Sequence, residues 1–201
     1  MKTITYVTGN YGKYVRVKEQ FEEANISINY FKCDLDEPEV NDIKYISQEK
    51  ARQAYEILKT PVFVADTGFY IKEYPNNPGY PGAFVKRSGI SSNIDNLLNV
   101  MKDVEDRECY FLDCLTYYDG KEFMQFIGVS EGSLSYEKRG NELKKAKSNL
   151  WYVFIPKNHN KTLAEMTDYE RCNRNDEHVS ATDLFIDWYK ENFNNKKLIK
   201  K

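Results

Sequence analysis

The amino-acid sequence predicts an α/β protein with a mixed β-sheet that is flanked by helices and extended by antiparallel strands. Two observations lead to this fold class. Segments typical of strands and of helices alternate through the first half of the chain, and a β-hairpin pattern follows in the middle. Because no stretch has the composition of a linker, we expect residues 1–195 to form a single domain and residues 196–201 a basic C-terminal tail.

Five elements are predicted in the first third of the chain. Residues 3–7 and 26–33 alternate in polarity as strands do, and residues 61–65 form a wholly apolar run of the kind found in a central strand. Residues 12–24 and 47–58 have the periodicity of helices. This regular alternation of strand and helix is the basis of the α/β prediction.

A loop, a helix and a hairpin are predicted in the middle of the chain. Residues 74–82 contain three prolines, so we expect a shaped surface loop rather than regular structure. Residues 93–104 predict a helix. Residues 107–118 and 121–129 predict two strands joined at Asp119-Gly120, a favoured two-residue turn.

The last part of the chain predicts further strands and two helices. Leu134 is expected to belong to a third antiparallel strand, residues 139–149 to a loop and residues 150–155 to another strand. Residues 162–166 are expected to begin a short helix, because a threonine and a glutamate stand there in capping-box spacing. The final helix is predicted to be capped by one residue and to bury three others: Ser180 or Thr182 as the cap, and Leu184, Phe185 and Trp188 as the buried side chains.

Composition and charge exclude several classes of protein. The chain has 29 Lys and Arg against 31 Asp and Glu, a formal charge of −2, which argues against coating nucleic acid through a broad cationic face. No apolar stretch approaches the roughly 20 residues that span a bilayer, and the N-terminus lacks the apolar core of a signal peptide. The four cysteines have no zinc-binding spacing, as expected of reduced thiols. We therefore expect a cytoplasmic protein with neither a nucleic-acid nor a membrane partner.

The turn at residues 8–13, Thr-Gly-Asn-Tyr-Gly-Lys, is the most informative feature of the sequence. It links the first predicted strand to the first predicted helix. Such a turn leaves backbone N–H groups unpaired at the positive end of a helix dipole, where an anion can accept from them, and Lys13 adds a mobile cation. The pattern favours a phosphate site, although its spacing is too short for a Walker motif. An ordinary strand-to-helix turn that ends in lysine is the alternative.

Asp66 is the second candidate residue for a functional site. It follows the wholly apolar strand, and ligands of α/β sheets bind beyond the carboxyl ends of strands. An acidic loop that contains Glu39 offers a second carboxylate. Two carboxylates that face each other suit Mg²⁺, which takes the rest of its ligands from water and substrate phosphates. The alternatives are that Asp66 only caps the following segment and that the acidic loop is only solvated. A Ser-His-Asp hydrolase is not supported, since no serine stands in a nucleophile elbow.

An ordered set of motifs extends over nearly the whole chain. These motifs are Thr8-Gly9-Asn10 with Lys13, Glu-Pro-Glu-Val at 37–40, Lys50-Ala51, Pro-Val-Phe-Val-Ala-Asp-Thr-Gly at 61–68, Gly-Tyr-Pro-Gly at 79–82, Tyr-Tyr-Asp-Gly at 117–120, Glu-Lys-Arg-Gly-Asn at 137–141 and Lys-Thr-Leu-Ala-Glu-Met-Thr at 161–167. In this order they resemble the inosine triphosphate pyrophosphatase family, which removes non-canonical purine nucleoside triphosphates.

The resemblance implies a two-lobed mixed sheet flanked by helices, a nucleotide cleft between the lobes, and a homodimer. It implies Mg²⁺-dependent cleavage between the α- and β-phosphates of a nucleoside triphosphate. Carried over by position, the triphosphate would be held by Thr8, Gly9, Asn10 and Lys13, and the metal by Glu39 and Asp66. Asp66 would also activate the attacking water. Further substrate contacts would come from Thr67, Gly68 and Lys86.

The sequence also departs from the family pattern, mostly where the family reads the base. Ala65 replaces an acidic residue that usually precedes the aspartate, and a basic segment at 142–149 replaces a Gly-Phe-Gly-Tyr-Asp loop. The Ser-His-Arg signature near the C-terminus is missing. Residues that would take over substrate binding in these regions are His178 for the signature histidine, Arg171 for the preceding lysine, and Trp151, with Tyr152, as a stacking surface for the base. A Trp151 packed within a strand is the alternative.

Two functions follow from this pattern. The first is a Mg²⁺-dependent nucleoside triphosphate pyrophosphohydrolase for a non-canonical purine or an otherwise altered base, because changed polar groups in a base pocket change the preferred base. The second is a non-catalytic nucleotide-binding or sensing protein that kept the fold and lost turnover, as the missing base-reading residues suggest.

Overall fold

The computed structural model describes residues 4–141, 148–174 and 178–194. These residues form one mixed sheet of seven strands with the order β2-β1-β3-β5-β6-β7, in which β4 pairs with β3 off this path. The strands are β1 (Ile4–Val7), β2 (Ile28–Phe31), β3 (Val62–Ile71), β4 (Pro81–Gly82), β5 (Glu108–Tyr118), β6 (Phe123–Leu134) and β7 (Phe154–Pro156). The α-helices are α1 (Tyr11–Glu23), α2 (Ile43–Leu58), α3 (Val85–Ser88), α4 (Ile94–Val100), α5 (Asp168–Cys172) and α6 (Ala181–Tyr189).

The sheet is mixed, as the sequence predicts. Strand β1 pairs in parallel with both β2 and β3, whereas β6 pairs antiparallel with β7. Consecutive strands β5 and β6 are neighbours, as the predicted hairpin requires, but four residues, 119–122, join them instead of the predicted two-residue turn. None of the helices in these residues is long and apolar enough to cross a membrane.

The chain divides into two compact units. Among the described residues, the first unit comprises residues 4–66, 113–128 and 179–194. The second unit comprises residues 67–112, 129–141, 148–174 and 178. Strands β3, β5 and β6 contribute residues to both units.

Aromatic packing forms the core of the first unit. The rings of Tyr6 and Phe63 stack with their centroids 4.7 Å apart, and Phe21 and Phe185 pack against Phe63. All four side chains are buried. Because burial of one such side chain contributes roughly 1.5–3 kcal/mol, this cluster fixes α1 and α6 against β1 and β3.

Helix α2 packs through small residues against a second apolar cluster of the first unit, in which Ala51 and Ala54 contact Val62 and Val64. The helix begins four residues before the predicted start, because the Asp42 side chain caps it by accepting from the backbone N–H groups of residues 44 and 45. The early start adds one full turn to the helix.

The second unit has its own core and one buried arginine. Phe69, Phe154, Leu97 and Met101 belong to a cluster of buried apolar side chains. The Arg107 guanidinium donates to three backbone carbonyls, those of residues 101, 134 and 135, at 2.6–2.8 Å. These bonds satisfy a buried charge that would otherwise be costly.

Several predicted boundaries in the sheet are wrong. Strand β3 does not end before Asp66 but continues to Ile71, so Asp66 lies inside a strand. Leu134 ends β6 instead of starting a third strand. Residues 150–155 are not one strand, because a 3₁₀ helix (Asn149–Tyr152) precedes the three-residue strand β7.

The predicted helices near the C-terminus also need correction. Thr162 and Glu165 do exchange the two hydrogen bonds of a capping box, but only a turn follows them. Helix α5 begins later, with a capping box of its own made by Thr167 and Glu170. Ser180 caps α6, which buries Phe185 as predicted, whereas Leu184 is exposed and Trp188 only partly buried. Residue 3, the basic residues 142–147 and the tail 196–201 lie outside the described residues.

Candidate active site

The turn between β1 and α1 is organised by its own side chains. The Thr8 hydroxyl accepts from the backbone N–H of Asn10 at 3.1 Å. Asn10 is the N-cap of α1, and its side-chain oxygen accepts from the backbone N–H of Lys13 at 3.1 Å. These bonds hold the first turn of α1 in place without using all of its N–H groups.

The N–H groups of Gly9, Tyr11 and Gly12 remain available to a ligand, because no acceptor in the described part of the chain bonds to them. No acidic residue lies in the first turn of α1. Amide groups at the start of a helix, with the positive end of the dipole behind them, form a site for phosphate.

Lys13 extends from this turn to strand β3. Its ammonium donates to the backbone carbonyl of Ala65 at 3.4 Å. Burial lowers the pKa of Lys13 and the nearby Lys50 adds to this effect, while the attraction of Asp66 acts in the opposite direction. Lys13 in this turn and Asp66 are therefore close enough to affect each other electrostatically.

Asp66 is buried, with 6% of its surface exposed, and its two oxygens have different surroundings. Oδ1 accepts from the Lys50 ammonium at 2.5 Å, and Lys50 also donates to Glu37 at 3.1 Å. Oδ2 is buried without a hydrogen-bond partner among the described residues. A buried carboxylate oxygen without a partner is costly, and a metal ion or a water molecule would satisfy it.

Lys50 forms ion pairs with both carboxylates, Asp66 and Glu37. Burial lowers the pKa of Lys50, but the charges of Asp66 and Glu37 and their hydrogen bonds outweigh it, so that its pKa is raised overall. Lys50 therefore stays charged in the folded protein and holds Asp66 in one orientation.

Strand periodicity explains why Asp66 meets Lys50. Side chains two residues apart point to the same face of a strand, so Asp66 shares the face of Val62 and Val64. That face packs on α2, where Lys50 precedes Ala51. The sequence alone placed Lys50 in a motif without a role, and neither Lys50 nor Glu37 was among the predicted site residues. The alternation of side chains along a strand, which puts Asp66 on the same face as Val62 and Val64, was the signal that could have indicated this pairing.

Polar contacts anchor α2 to strands β5 and β6. The buried Thr116 hydroxyl of β5 donates to the buried Ser47 hydroxyl at 2.8 Å. Gln125 of β6 donates to Thr116 at 3.0 Å and, nearer the surface, to the carbonyl of Lys44 at 2.8 Å. These bonds fix the position of the helix that carries Lys50.

The acidic loop is attached to α2 by Gln53, one turn after Lys50. The Gln53 amide accepts from the backbone N–H of Asp36 at 2.9 Å and donates to its carbonyl at 3.0 Å. In the same loop, Asp34 packs so tightly on Gly9 that a Cβ at Gly9 would come within 1.8 Å of its carboxylate. A side chain at position 9 would therefore require the exposed Asp34 carboxylate to move away.

Glu39 lies in an exposed part of the acidic loop. The carboxylate that shares a cation with Asp66 is instead Glu37, two residues earlier. Within residues 4–141, 148–174 and 178–194, no three His, Cys, Asp or Glu side chains are grouped to hold a metal. The donor set nevertheless fits Mg²⁺ if the substrate supplies further oxygens, because Mg²⁺ commonly binds through one or two carboxylates together with phosphates.

Three of the predicted substrate contacts lie at the start of the second unit. Thr67 is exposed on β3, next to Asp66 in the chain, and Lys86 is exposed on the short helix α3. Gly68 is buried, and a Cβ there would come within 2.7 Å of the Tyr70 ring. Only glycine fits at position 68 without displacing that ring.

The remaining three predicted contacts lie elsewhere in the second unit. Arg171 lies over the Trp151 ring, with its guanidinium carbon 5.3 Å from the ring centroid. Arg171 also donates to the carbonyls of Leu163 and Met166 and to the Asp168 carboxylate, so it holds the start of α5. The Trp151 ring packs against the apolar core from a 3₁₀ helix, rather than from a strand. His178 has its Nδ1 atom 3.1 Å from the carbonyl oxygen of Val129.

The chain is similar to proteins of a known family. The model of the Ham1 family matches residues 4–188. A dITP/XTP pyrophosphatase from Saccharolobus solfataricus is 32% identical over 168 residues, which are 84% of this chain and 84% of that protein. A dITP/XTP pyrophosphatase from Methanosarcina acetivorans is 30% identical over 192 residues, covering 94% and 98% of the two chains.

Solved structures show the same fold. The HAM1 protein from Coxiella burnetii superposes with a TM-score of 0.79 at 20% identity, covering 95% of this chain and 100% of that one. The Ham1 protein from Staphylococcus aureus gives a TM-score of 0.73 at 18% identity, covering 93% and 98%. The expected fold and the resemblance inferred from the sequence are confirmed.

Proposed function

Because this chain belongs to the Ham1 family, we propose that it hydrolyses a nucleoside triphosphate to the nucleoside monophosphate and pyrophosphate. Pyrophosphohydrolysis is the activity for which its relatives, the dITP/XTP pyrophosphatases, are named. The observation that carries the proposal is Asp66, a buried carboxylate with one oxygen held by Lys50 and the other without a partner.

The first unit supplies the groups that this reaction needs. Thr8, Gly9, Asn10 and Lys13 form a turn whose amides and ammonium bind phosphate oxygens, which carry the negative charge of the substrate and gain charge as the anhydride breaks. Asp66 orients the attacking water through Oδ2 and accepts its proton.

Mg²⁺ is part of the proposal. Asp66 and a carboxylate of the acidic loop, Glu39 or the Lys50-bound Glu37, would hold it together with phosphate oxygens. When bound, the metal offsets the charge of the phosphates during phosphoryl transfer. Lys50 fixes the geometry of the buried Asp66 and the partly buried Glu37 in either case.

The substrate base is a non-canonical purine or an otherwise altered base in this proposal. The curated relatives act by name on dITP and XTP, so these two are the first substrates to test. Thr67, Gly68, Lys86, Trp151, Arg171 and His178 stay predicted substrate contacts. The homodimer and the cytoplasmic location also stay predictions.

A panel of triphosphates tests the function. The protein with Mg²⁺ is incubated with dITP, XTP, ITP and the four canonical triphosphates, and products are separated by ion-exchange chromatography. We expect equal amounts of monophosphate and pyrophosphate from at least one non-canonical substrate. Diphosphate with inorganic phosphate, or no product from any of them, would overturn the proposal. Nucleotide binding without product would favour the non-catalytic alternative.

A further inference from the structure

Arg16 lies one helical turn after Gly12 in α1. Side chains in a helix lean towards its N-terminus, so a residue covers the turn before its own Cα. Arg16 follows this rule, because a Cβ built on Gly12 would lie 3.8 Å from Nη1 of Arg16. The guanidinium therefore points back to the turn whose amides are available to a ligand.

No residue in the described part of the chain forms a hydrogen bond or an ion pair with Arg16, although the side chain is partly buried. Burial lowers its pKa, and only the more distant charges of Tyr6 and Glu19 oppose this effect. The Asp34 carboxylate packs on Gly9 in the same turn, but it forms no ion pair with Arg16 within these residues. The five N–H donors of the Arg16 guanidinium thus lie beside the turn without an acceptor among the described residues.

Positive charge accumulates at this end of α1. Lys13 and Arg16 both stand at the N-terminal end of the helix, where the dipole is already positive and cations are unfavourable. Burial lowers the pKa of Lys13, and the charges of Lys50 and Arg16 lower it further, while Asp66 opposes this effect. An anion bound at this end of the helix would offset part of this positive charge.

We propose that Arg16 is a phosphate-binding residue of this site, whose guanidinium binds the polyphosphate chain of the substrate together with Lys13 and the amides of the turn. The inference rests on the proposed function and adds a residue to it. The buried Oδ2 of Asp66 is an independent sign that a ligand completes this site. A guanidinium suits the role, because its fork of N–H groups matches two phosphate oxygens.

Binding of inorganic tripolyphosphate tests the role of Arg16 without any turnover. Isothermal titration calorimetry is done on the full chain and on Arg16→Ala and Arg16→Lys. Loss of hydrogen bonds to a charged group predicts a dissociation constant about 10- to 100-fold higher for Arg16→Ala. Arg16→Lys is expected to lie in between, since it keeps the charge and loses the fork. The control is Lys18→Gln on the same helix, which removes only an exposed pair with Glu22 and should bind as the parent does.

Thermal unfolding of the ligand-free protein separates binding from a structural role. If Arg16 serves a ligand, Arg16→Ala relieves repulsion and should leave the unfolding midpoint unchanged or raised. A structural role predicts a lower midpoint. Parent-like tripolyphosphate affinity in Arg16→Ala, or no tripolyphosphate binding by the parent itself, would overturn the inference. Tight tripolyphosphate binding that needs Arg16, in a protein that hydrolyses no triphosphate, would support Arg16 and reject only the proposed function.

Discussion

Asp66 and Lys50 form a buried ion pair at the centre of the proposed site. A carboxylate buried beside an ammonium is stable only while both partners are present, because each offsets the desolvation of the other. The arrangement leaves Oδ2 of Asp66 free for a ligand and fixes its direction. Lys50 thus fixes the orientation of the Asp66 carboxylate.

Replacing Lys50 should cost stability as well as activity. Lys50→Met leaves two carboxylates without their cation, which predicts a loss on the order of 3 kcal/mol in the free energy of unfolding. Urea denaturation of the parent, both single variants and the double variant Lys50→Met/Asp66→Asn measures this cost. We expect the double variant to recover part of the loss, because the buried charge is gone. If the double variant loses as much free energy of unfolding as the two single variants together, Lys50 and Asp66 are not energetically coupled.

At the scale of elements, helix α2 connects the acidic loop to β3. Lys50 and Gln53 stand one turn apart, and each binds the loop, one through Glu37 and the other through the backbone of Asp36. Ser47 holds the same helix to β5. The helix therefore sets the distance between the loop carboxylates and Asp66.

Gln53→Ala should loosen the acidic loop without touching a ligand. Groups that orient metal ligands affect metal affinity, so we expect the Mg²⁺ concentration for half-maximal activity to rise about 10-fold, with the maximal rate nearly kept. Titration of activity with Mg²⁺ measures this shift. Glu56→Gln is the matched control, since Glu56 pairs only with the exposed Lys59 on the same helix. An equal shift in both variants would contradict a specific role for Gln53.

At the scale of the whole molecule, buried tyrosines link stability to alkaline pH. Burial, with a smaller contribution from the charges of Asp119 and Tyr189, raises the pKa of Tyr117 to about 12, and burial also raises the pKa of Tyr6 and Tyr189. The folded protein keeps protons that the unfolded chain releases near pH 10. This stabilisation is complete below about pH 10 and is lost as the pH rises towards about 12.

Thermal unfolding measured from about pH 8 to pH 11 should therefore show a midpoint that falls above about pH 10. Tyr117→Phe is expected to show a smaller fall, because its ring stays buried and has no proton to lose. A midpoint that does not change with pH over this range, or an unchanged fall in Tyr117→Phe, would contradict the assignment.

Local patterns in the sequence predicted the strand, turn and helix around residues 8–13, since caps and periodicity act over a few residues. They also indicated the Thr162 capping box, but not that the chain would turn instead of continuing as a helix. The length of β3 and the bridge from Lys50 to Asp66 depend on pairing between distant segments. For this reason the sequence made Asp66 a candidate but did not predict the contacts that Lys50, Glu37 and Gln53 make around it.

The rate of triphosphate hydrolysis with and without the Asp66 carboxylate is the most direct test of the proposed function. Pyrophosphate release from the best substrate of the panel is compared in the parent and in Asp66→Asn, with tripolyphosphate affinity measured in both. We predict a rate lower by about 10²- to 10⁴-fold in Asp66→Asn, as is typical when a general base is lost, with tripolyphosphate still bound. A variant that releases pyrophosphate at the parent's rate would contradict the central claim.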